Sequence, residues 1–399
     1  MKKFLFIIIG SFLIISNSNA ESFLSALTKA FKNNSELNAE RENINISEQE
    51  LKISQGNYLP TVTLSGSKSQ EDTNKLTNRS GGDESINDVD PLTKSISISQ
   101  TLIDFGRGAE LSKSKIGLEL AKAELLKKEQ DILFKTTEAY TGLIFANEKL
   151  DINRDNVELL SRQVETDQIR VARGQITLSD VSQSESSLAE AQAKLIQAEN
   201  ELLTSKLNYE NIIGSLNDPK SLDKKSIREY PLPDSLTSAI ELSKKNNPDL
   251  IIAKLEYEQA QKDKTIAKSD LAPSANLSLE RSYTDDLSAT YDEREKDTLK
   301  ATVTWPFYSG GKNLASIYKS SSLETRARLI LDSVTKQNQT NVASAWSSYQ
   351  SNKSLLNSVQ AQVRAAEIAN EGISAEYNSG VGRTTLEVIQ SNSLLLNAQ

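Results

Sequence analysis

Thr384 and Glu387 stand three residues apart at the head of an apolar run, and Gly310-Gly311-Lys312 follows a stretch of alternating apolar residues. Of all the spacings in the chain, these two come nearest to a chemical motif. The first is the pattern of a capping box, in which the carboxylate satisfies the start of a helix. The second would cradle a phosphate only with a further glycine upstream; that glycine is missing, and the triplet reads as a strand-to-helix corner. The 399 residues contain no His and no Cys, which removes imidazole bases, thiolate nucleophiles, disulfides and Cys/His zinc sites. Catalysis would have to rest on carboxylates, Lys, Tyr or Ser, and no convergent pocket of these can be argued. The chain reads as a non-enzyme that needs neither cofactor nor metal. With 46 Lys plus Arg against 54 Asp plus Glu, a net charge of −8, it offers no basic face for nucleic acid. The Lys and Glu of 113–129 read as a solvated helix face.

The elements that must position these residues come in two copies. Asn33-Asn34-Ser35-Glu36-Leu37 returns as Asn246-Asn247-Pro248-Asp249-Leu250, and Tyr58-Leu59-Pro60 returns at the same offset as Leu271-Ala272-Pro273. Leu102-Ile103-Asp104-Phe105-Gly106 corresponds to Phe307-Tyr308-Ser309-Gly310-Gly311, and the stretch 173–181 corresponds to 379–388 with one extra residue. The order of landmarks is shared, which makes the repeat the organising feature. Four parts follow: a leader over 1–20, a first repeat over 21–217, a linker over 218–234 with Pro219, Pro231 and Pro233, and a second repeat over 235–399. The leader has Lys2 and Lys3, an apolar stretch from Phe4 to Ile15, and Ser18-Asn19-Ala20 as a cleavage site, so the chain is expected to be exported. No later stretch is apolar for long enough to be a membrane helix.

The hydrophobic period changes in the same way within each half. Residues 21–57 are helical in composition and end at the breakers Gly56 and Pro60. Val62 and Leu64, then Ile96, Ile98 and Leu102, alternate with Ser and Thr. Leu277, Leu279 and Tyr283, then Leu299, Ala301, Val303, Trp305 and Phe307, do the same in the second half. A period of two marks strands with one apolar and one polar face, near the about 9–11 residues of a tilted membrane strand. From Phe105 to Ala172 there is no proline. Leu111, Leu118, Leu125, Ile132 and Ala139 fall at heptad spacing, and after a four-residue stutter Leu143, Leu150, Val157, Val164 and Val171 resume it. Val181, Leu188, Leu195, Leu202 and Tyr209 form the returning seam.

Residues 105–172 would make a helix about 100 Å long at ~1.5 Å per residue. Residues 21–57 and 180–213, placed end to end, would match it. After Val388 the second copy of the returning helix stops early, and the final helix is read as truncated. Four amphipathic strands per chain cannot survive in lipid as an open sheet. Two chains would close a barrel filled by its own side chains, whereas three leave a lumen. The fold class expected is therefore mainly α with membrane β: a two-repeat protomer of long coiled-coil helices plus four amphipathic strands, forming a trimeric 12-stranded β-barrel and a 12-helix α-barrel.

These residues resemble the TolC-like family of outer-membrane efflux and secretion ducts. The resemblance covers Glu21 to Gln399 and is carried most specifically by the turns Gly174-Gln175-Ile176-Thr177-Leu178-Ser179-Asp180-Val181 and Tyr377-Asn378-Ser379-Gly380-Val381-Gly382-Arg383-Thr384-Thr385-Leu386-Glu387-Val388, with the Leu-Pro lead-ins to the strands. It implies a homotrimer in outer-membrane lipid with its helical part in the periplasm. The partners it implies are a periplasmic adaptor protein and an inner-membrane ABC exporter or proton-driven pump. It also implies a gate at the periplasmic tip, in which Arg383 and Tyr377 reach Ser179 and Asp180 of the first-repeat turn. Of two acidic rings at the narrowest point, Glu387 matches one and Gln390 occupies the other, which lowers the ring charge. Glu387 also fits the capping box, and Asp180 also fits a simple helix-start partner. Trp305 and Phe307 read as membrane-interface anchors in preference to ordinary packing. The function expected is a passive exit duct of a tripartite efflux pump or type I secretion system. An exported structural coiled-coil fibre is the alternative, and it leaves the two amphipathic hairpins without a purpose.

Overall fold

The structure, a computed structural model, describes residues 21–72, 74, 75, 77, 79–83, 89–216, 218–224, 232–288, 291–380 and 382–399. The expected leader, Pro231 and Val381 lie outside the described residues. In chain order the elements are α1 (Phe23–Asn33), α2 (Ser35–Gly56), β1 (Thr61–Lys68), β2 (Leu92–Ile103), α3 (Arg107–Ala172) and α4 (Leu178–Ile212), then a short 3-10 turn at Pro219–Ser221. The second series is α5 (Leu236–Asn246), α6 (Pro248–Ser269), β3 (Ser274–Asp285), β4 (Glu293–Thr304), α7 (Lys312–Asn378) and α8 (Thr385–Ala398). The same order of elements therefore occurs twice.

The stretch expected as one helix over 21–57 is two. Asn34 turns extended (ψ 123°) and closes α1 with its N–H on the Ala30 carbonyl, while its side-chain oxygen accepts from Leu37 N at 3.1 Å to open α2. Asn247 repeats the device between α5 and α6, accepting from Asp249 N at 2.8 Å with Pro248 at the first helical position. The Asn-Asn landmark of the repeat is thus a helix break whose asparagine caps the helix that follows.

Contacts divide the chain into two compact units: residues up to Asn38 with 128–234 and 344–399, and residues 39–127 with 235–343. In the first, the heptad positions Ile132, Ala139, Leu143, Leu150 and Val164 of α3 are buried, as are Val181 and Tyr209 of α4. On α4 the small residues Ala191 and Ala198, three past Leu188 and Leu195, are more deeply buried than those leucines, because close helix approach favours small side chains at the contact. Tyr140 is fully buried; it packs edge-on against Phe23 and donates its hydroxyl to the carbonyls of Glu21 and Asp223.

The second unit holds one four-stranded antiparallel sheet in the order β1-β2-β3-β4. Its register lines up Val62, Ile98, Leu279 and Leu299 across all four strands, and Leu64 opposite Ile96. Residues directly opposite share a face, so these apolar side chains form one surface, and Val62, Leu64, Ile96, Ile98, Leu279, Leu299 and Val303 are all exposed. The other face consists of rows such as Thr63, Ser97, Glu280 and Thr298, or Ser65, Ser95, Ser282 and Lys296. No described helix is long and apolar enough to cross a membrane.

Candidate functional site

Two helix-to-helix turns bring together most of the residues singled out from the sequence, all within the first unit. The α3–α4 turn closes with Gly174 at φ +68°, its N–H on the Val171 carbonyl and that of Gln175 on Arg170, the bonding of a Schellman cap. A side chain at that φ would be strained, which is why glycine stands there. Thr177 then caps α4: its hydroxyl accepts from Asp180 N at 3.3 Å, and the Asp180 carboxylate accepts from Thr177 N at 2.9 Å and Thr177 Oγ1 at 2.7 Å. These bonds from Thr177 hold the Asp180 carboxyl below the usual aspartate range.

The α7–α8 turn repeats the scheme with an added cation. Gly380 lies at φ +77°. Glu387 Oε2 accepts from Thr384 N at 2.8 Å and Thr384 Oγ1 at 3.0 Å, while its other oxygen takes the Arg383 guanidinium at 3.0 Å. Arg383 also donates to Glu376 Oε2 at 2.6 Å, clamping the end of α7 to the start of α8. The Thr384 backbone and then Arg383 depress the Glu387 carboxyl, and the two carboxylates in turn hold the guanidinium proton more tightly than usual. Glu387 therefore makes the capping box in full. Gln390, one helical turn further on, and Ser179, on the first turn of α4, are exposed.

Asp180, Tyr377 and Arg383 line one cavity together with Arg170, Gln175 and Thr384. Among the described residues, however, neither Tyr377 nor Arg383 bonds to Ser179 or Asp180. Each of the two caps consumes its own carboxylate locally, and Tyr377 finds a different acceptor. Its hydroxyl donates to Asp167 Oδ1 at 2.7 Å and lies 3.0 Å from Thr385 Oγ1. Asp167 is fully buried and accepts three further bonds, from Ser184 Oγ at 2.5 Å and from Gln163 Nε2 at 2.9 and 3.1 Å. Arg170 stacks 4.2 Å over the Tyr377 ring and donates to the Tyr377 carbonyl at 3.1 Å. Burial, with the Asp167 carboxylate alongside, raises the Tyr377 phenol above its ordinary value. One carboxylate thus ties α3, α4 and α7 directly, and α8 through Tyr377.

Asp167 and Arg170 were missed from the sequence, although a signal existed. Asp167 lies three residues after Val164, and Ser184 three after Val181, so both occupy the second seam position of a heptad. A carboxylate on a seam must find donors, and here Ser, Gln and Tyr provide them.

Trp305 and Phe307 are exposed and in edge-to-face contact at 6.0 Å, with the Trp305 indole donating to the Leu271 carbonyl at 3.1 Å. Phe105, Tyr308 and Tyr58 are exposed at the same strand-to-helix end and extend the aromatic group beyond the two residues expected. Arg107 fixes that corner, donating to the Thr101 carbonyl at 2.9 Å and stacking 4.9 Å over Tyr58. No group of three or more acidic residues that could hold a metal ion occurs among the described residues.

The sequence profile of the family described as outer membrane efflux protein matches residues 26–215 and 239–399. The chain is 26% identical over 382 residues to the outer membrane efflux protein BepC of Brucella suis, covering 95% of this chain and 81% of that one. It is 21% identical over 408 residues to the alkaline protease secretion protein AprF of Pseudomonas aeruginosa, covering 100% and 84%. Among solved structures, the CmeC outer membrane channel of Campylobacter jejuni superposes with a TM-score of 0.81 at 16% identity, covering 96% and 81% of the two chains. At that identity the likeness is one of fold.

Proposed function

This chain belongs to the outer membrane efflux protein family, and from that premise we infer that it is the outer-membrane exit duct of a tripartite efflux pump or type I secretion system. The observation that carries the reading is the sheet: one face with an exposed apolar band (Val62, Leu64, Ile96, Ile98, Leu279, Leu299 and Val303) that turns charged at Arg281, Glu293, Glu295 and Asp297 toward the β3–β4 loop, one Ser/Thr-rich face, and two unpaired edges, β1 and β4. Such a sheet is stable in lipid only when closed, and three copies close it around a lumen wide enough for cargo. Trp305, Phe307 and their aromatic neighbours anchor the helix-side rim in the membrane interface. The helices form a second barrel in the periplasm, reached by an adaptor protein and an inner-membrane ABC exporter or proton-driven pump that supplies the energy. The duct itself makes and breaks no bond.

The gate lies at the two helix turns, with Ser179, Asp180, Tyr377, Arg383, Glu387 and Gln390 at the constriction and the buried Asp167 as its principal tie. Opening requires the α7–α8 pair to part from the α3–α4 pair, which breaks the Tyr377–Asp167 bond. Partner proteins that bind the parted form supply the difference in free energy.

Membrane extraction tests the reading. The chain should leave the outer membrane only with detergent, as a heat-modifiable trimer. Leu279→Arg, on the apolar face, should abolish that species at a cost of about 2–4 kcal/mol per protomer near mid-bilayer, while Ser278→Arg, on the other face, should leave it. Recovery as a soluble protein would favour the fibre instead and end the case for a duct.

A further inference from the structure

The strand β4 begins Glu293-Arg294-Glu295-Lys296-Asp297, a mixed run that is slightly acidic when read as sequence. The pleat sorts it. Arg294, Lys296 and Lys300 stand opposite Thr284, Ser282 and Ser278 on the Ser/Thr face, whereas Glu293, Glu295 and Asp297 belong to the other face. The acidic side is compensated in part, because Arg281 reaches Glu295 at 3.3 Å and Asp297 at 3.8 Å. The basic side is not: among the described residues Arg294, Lys296 and Lys300 make no ion pair, and all three are exposed. Glu280, opposite Thr298, is the only carboxylate on that face of the four strands. Closure would bring β1 beside β4, and β1 adds only Thr and Ser to this face.

We propose that Arg294, Lys296 and Lys300 form a basic stripe along the inner wall of the barrel, repeated in each protomer, that selects anionic solutes over cationic ones on their way out. The stripe rests on the duct reading above, since it needs the Ser/Thr face to be the lumen. A low-dielectric wall focuses the field of unpaired cations into a water-filled bore and raises the local concentration of anions. Counted with Glu280, the face carries a net charge of +2 per protomer. At Thr298 the opposite Glu280 offsets the flanking lysines; with that carboxylate neutralised, two full charges two residues away, across water at ordinary ionic strength, amount to about a fivefold preference between singly charged solutes of opposite sign.

The absence of cysteine from the chain makes the test clean. In a Glu280→Gln background, which removes the carboxylate opposite, Thr298→Cys places one thiol between Lys296 and Lys300 on the inner face, and Leu299→Cys places one on the apolar face. Intact outer membranes carrying the full-length trimer are treated from outside with an anionic sulfonatoethyl or a cationic trimethylammonioethyl methanethiosulfonate. Either forms a mixed disulfide with the thiolate and releases methanesulfinate, and rates are normalised to a free small thiol. The expected result is about fivefold faster anionic labelling of Thr298→Cys, a ratio near one when Lys296→Gln and Lys300→Gln are added, and inversion with Lys296→Glu and Lys300→Glu. A ratio near one with the lysines present, a ratio that ignores their replacement, or a Thr298→Cys thiol that reacts with neither reagent overturns the stripe. Rapid labelling of Leu299→Cys by both charged reagents instead overturns the barrel reading, so the two failures are distinguishable.

Discussion

Removing one oxygen should weaken the gate. Tyr377→Phe deletes the hydroxyl that reaches Asp167 Oδ1 at 2.7 Å, yet leaves the ring and its Arg170 stack in place. Asp167 keeps its bonds from Ser184 and Gln163, so the substitution strands no charge. What is lost is one hydrogen bond to a buried carboxylate, about 1.5–3 kcal/mol. At about 2 kcal/mol per protomer the closed-to-open ratio falls roughly 30-fold for each protomer that opens alone, and further if three open together. Asp180→Asn removes only part of a helix cap, about 1 kcal/mol or less. Purified trimers in planar bilayers report the outcome as conductance and open probability. Tyr377→Phe and Asp167→Ala should both raise conductance well above that of Asp180→Asn, and Tyr377→Phe should add little once Asp167→Ala has removed the acceptor, because both break the same bond. An intact Tyr377→Phe trimer with unchanged conductance, or a larger effect from Asp180→Asn, would refute the assignment of Asp167 as the principal tie.

Acid should act on the caps. The Asp180 and Glu387 carboxyls are held below their ordinary values in the folded tip, so the stabilisation they give is fully present above the unfolded values, about 3.9 and 4.3. It fades only as pH falls further, through the folded values. Hydrogen exchange at Thr177 and Thr384 should therefore be flat from pH 7 to about 5 after correction for intrinsic rates, and should rise once pH drops below about 4; a rise centred near neutrality would contradict the bonding described. Gly174→Ala, which forces a side chain into the left-handed region, should cost about 1 kcal/mol and lower thermal stability, whereas Gly142→Ala, inside α3 with open space around it, should be neutral or stabilising. Equal shifts from the two would show that the turn does not depend on its backbone conformation.

Patterns of period two and seven were legible in the chain because they record which side chains are withdrawn from water, and withdrawal is a local property of a strand or a helix face. The alternation from Ile96 to Leu102 and the heptads from Leu111 to Val171 therefore announced the strands and long helices. The Thr384–Glu387 box was equally legible, since a cap closes within four residues. The chain's residue types likewise left no imidazole or thiol chemistry open.

Choices between partners were different in kind. Tyr377 could have sought Asp180, as the family resemblance implied, or any other acceptor within reach. Packing of α7 against α3 placed Asp167 there, far away in sequence, while the caps had already consumed Asp180 and Glu387. Likewise the charges of Glu293 to Asp297, three acidic and two basic, alternate along the string and separate only when the strand is pleated beside β3, whose Arg281 meets the acidic face while the basic face is left without an ion pair among the described residues. Hydrophobic burial writes its period into the chain; a hydrogen bond or an ion pair between distant residues depends on where both ends are carried, and that only the folded backbone decides.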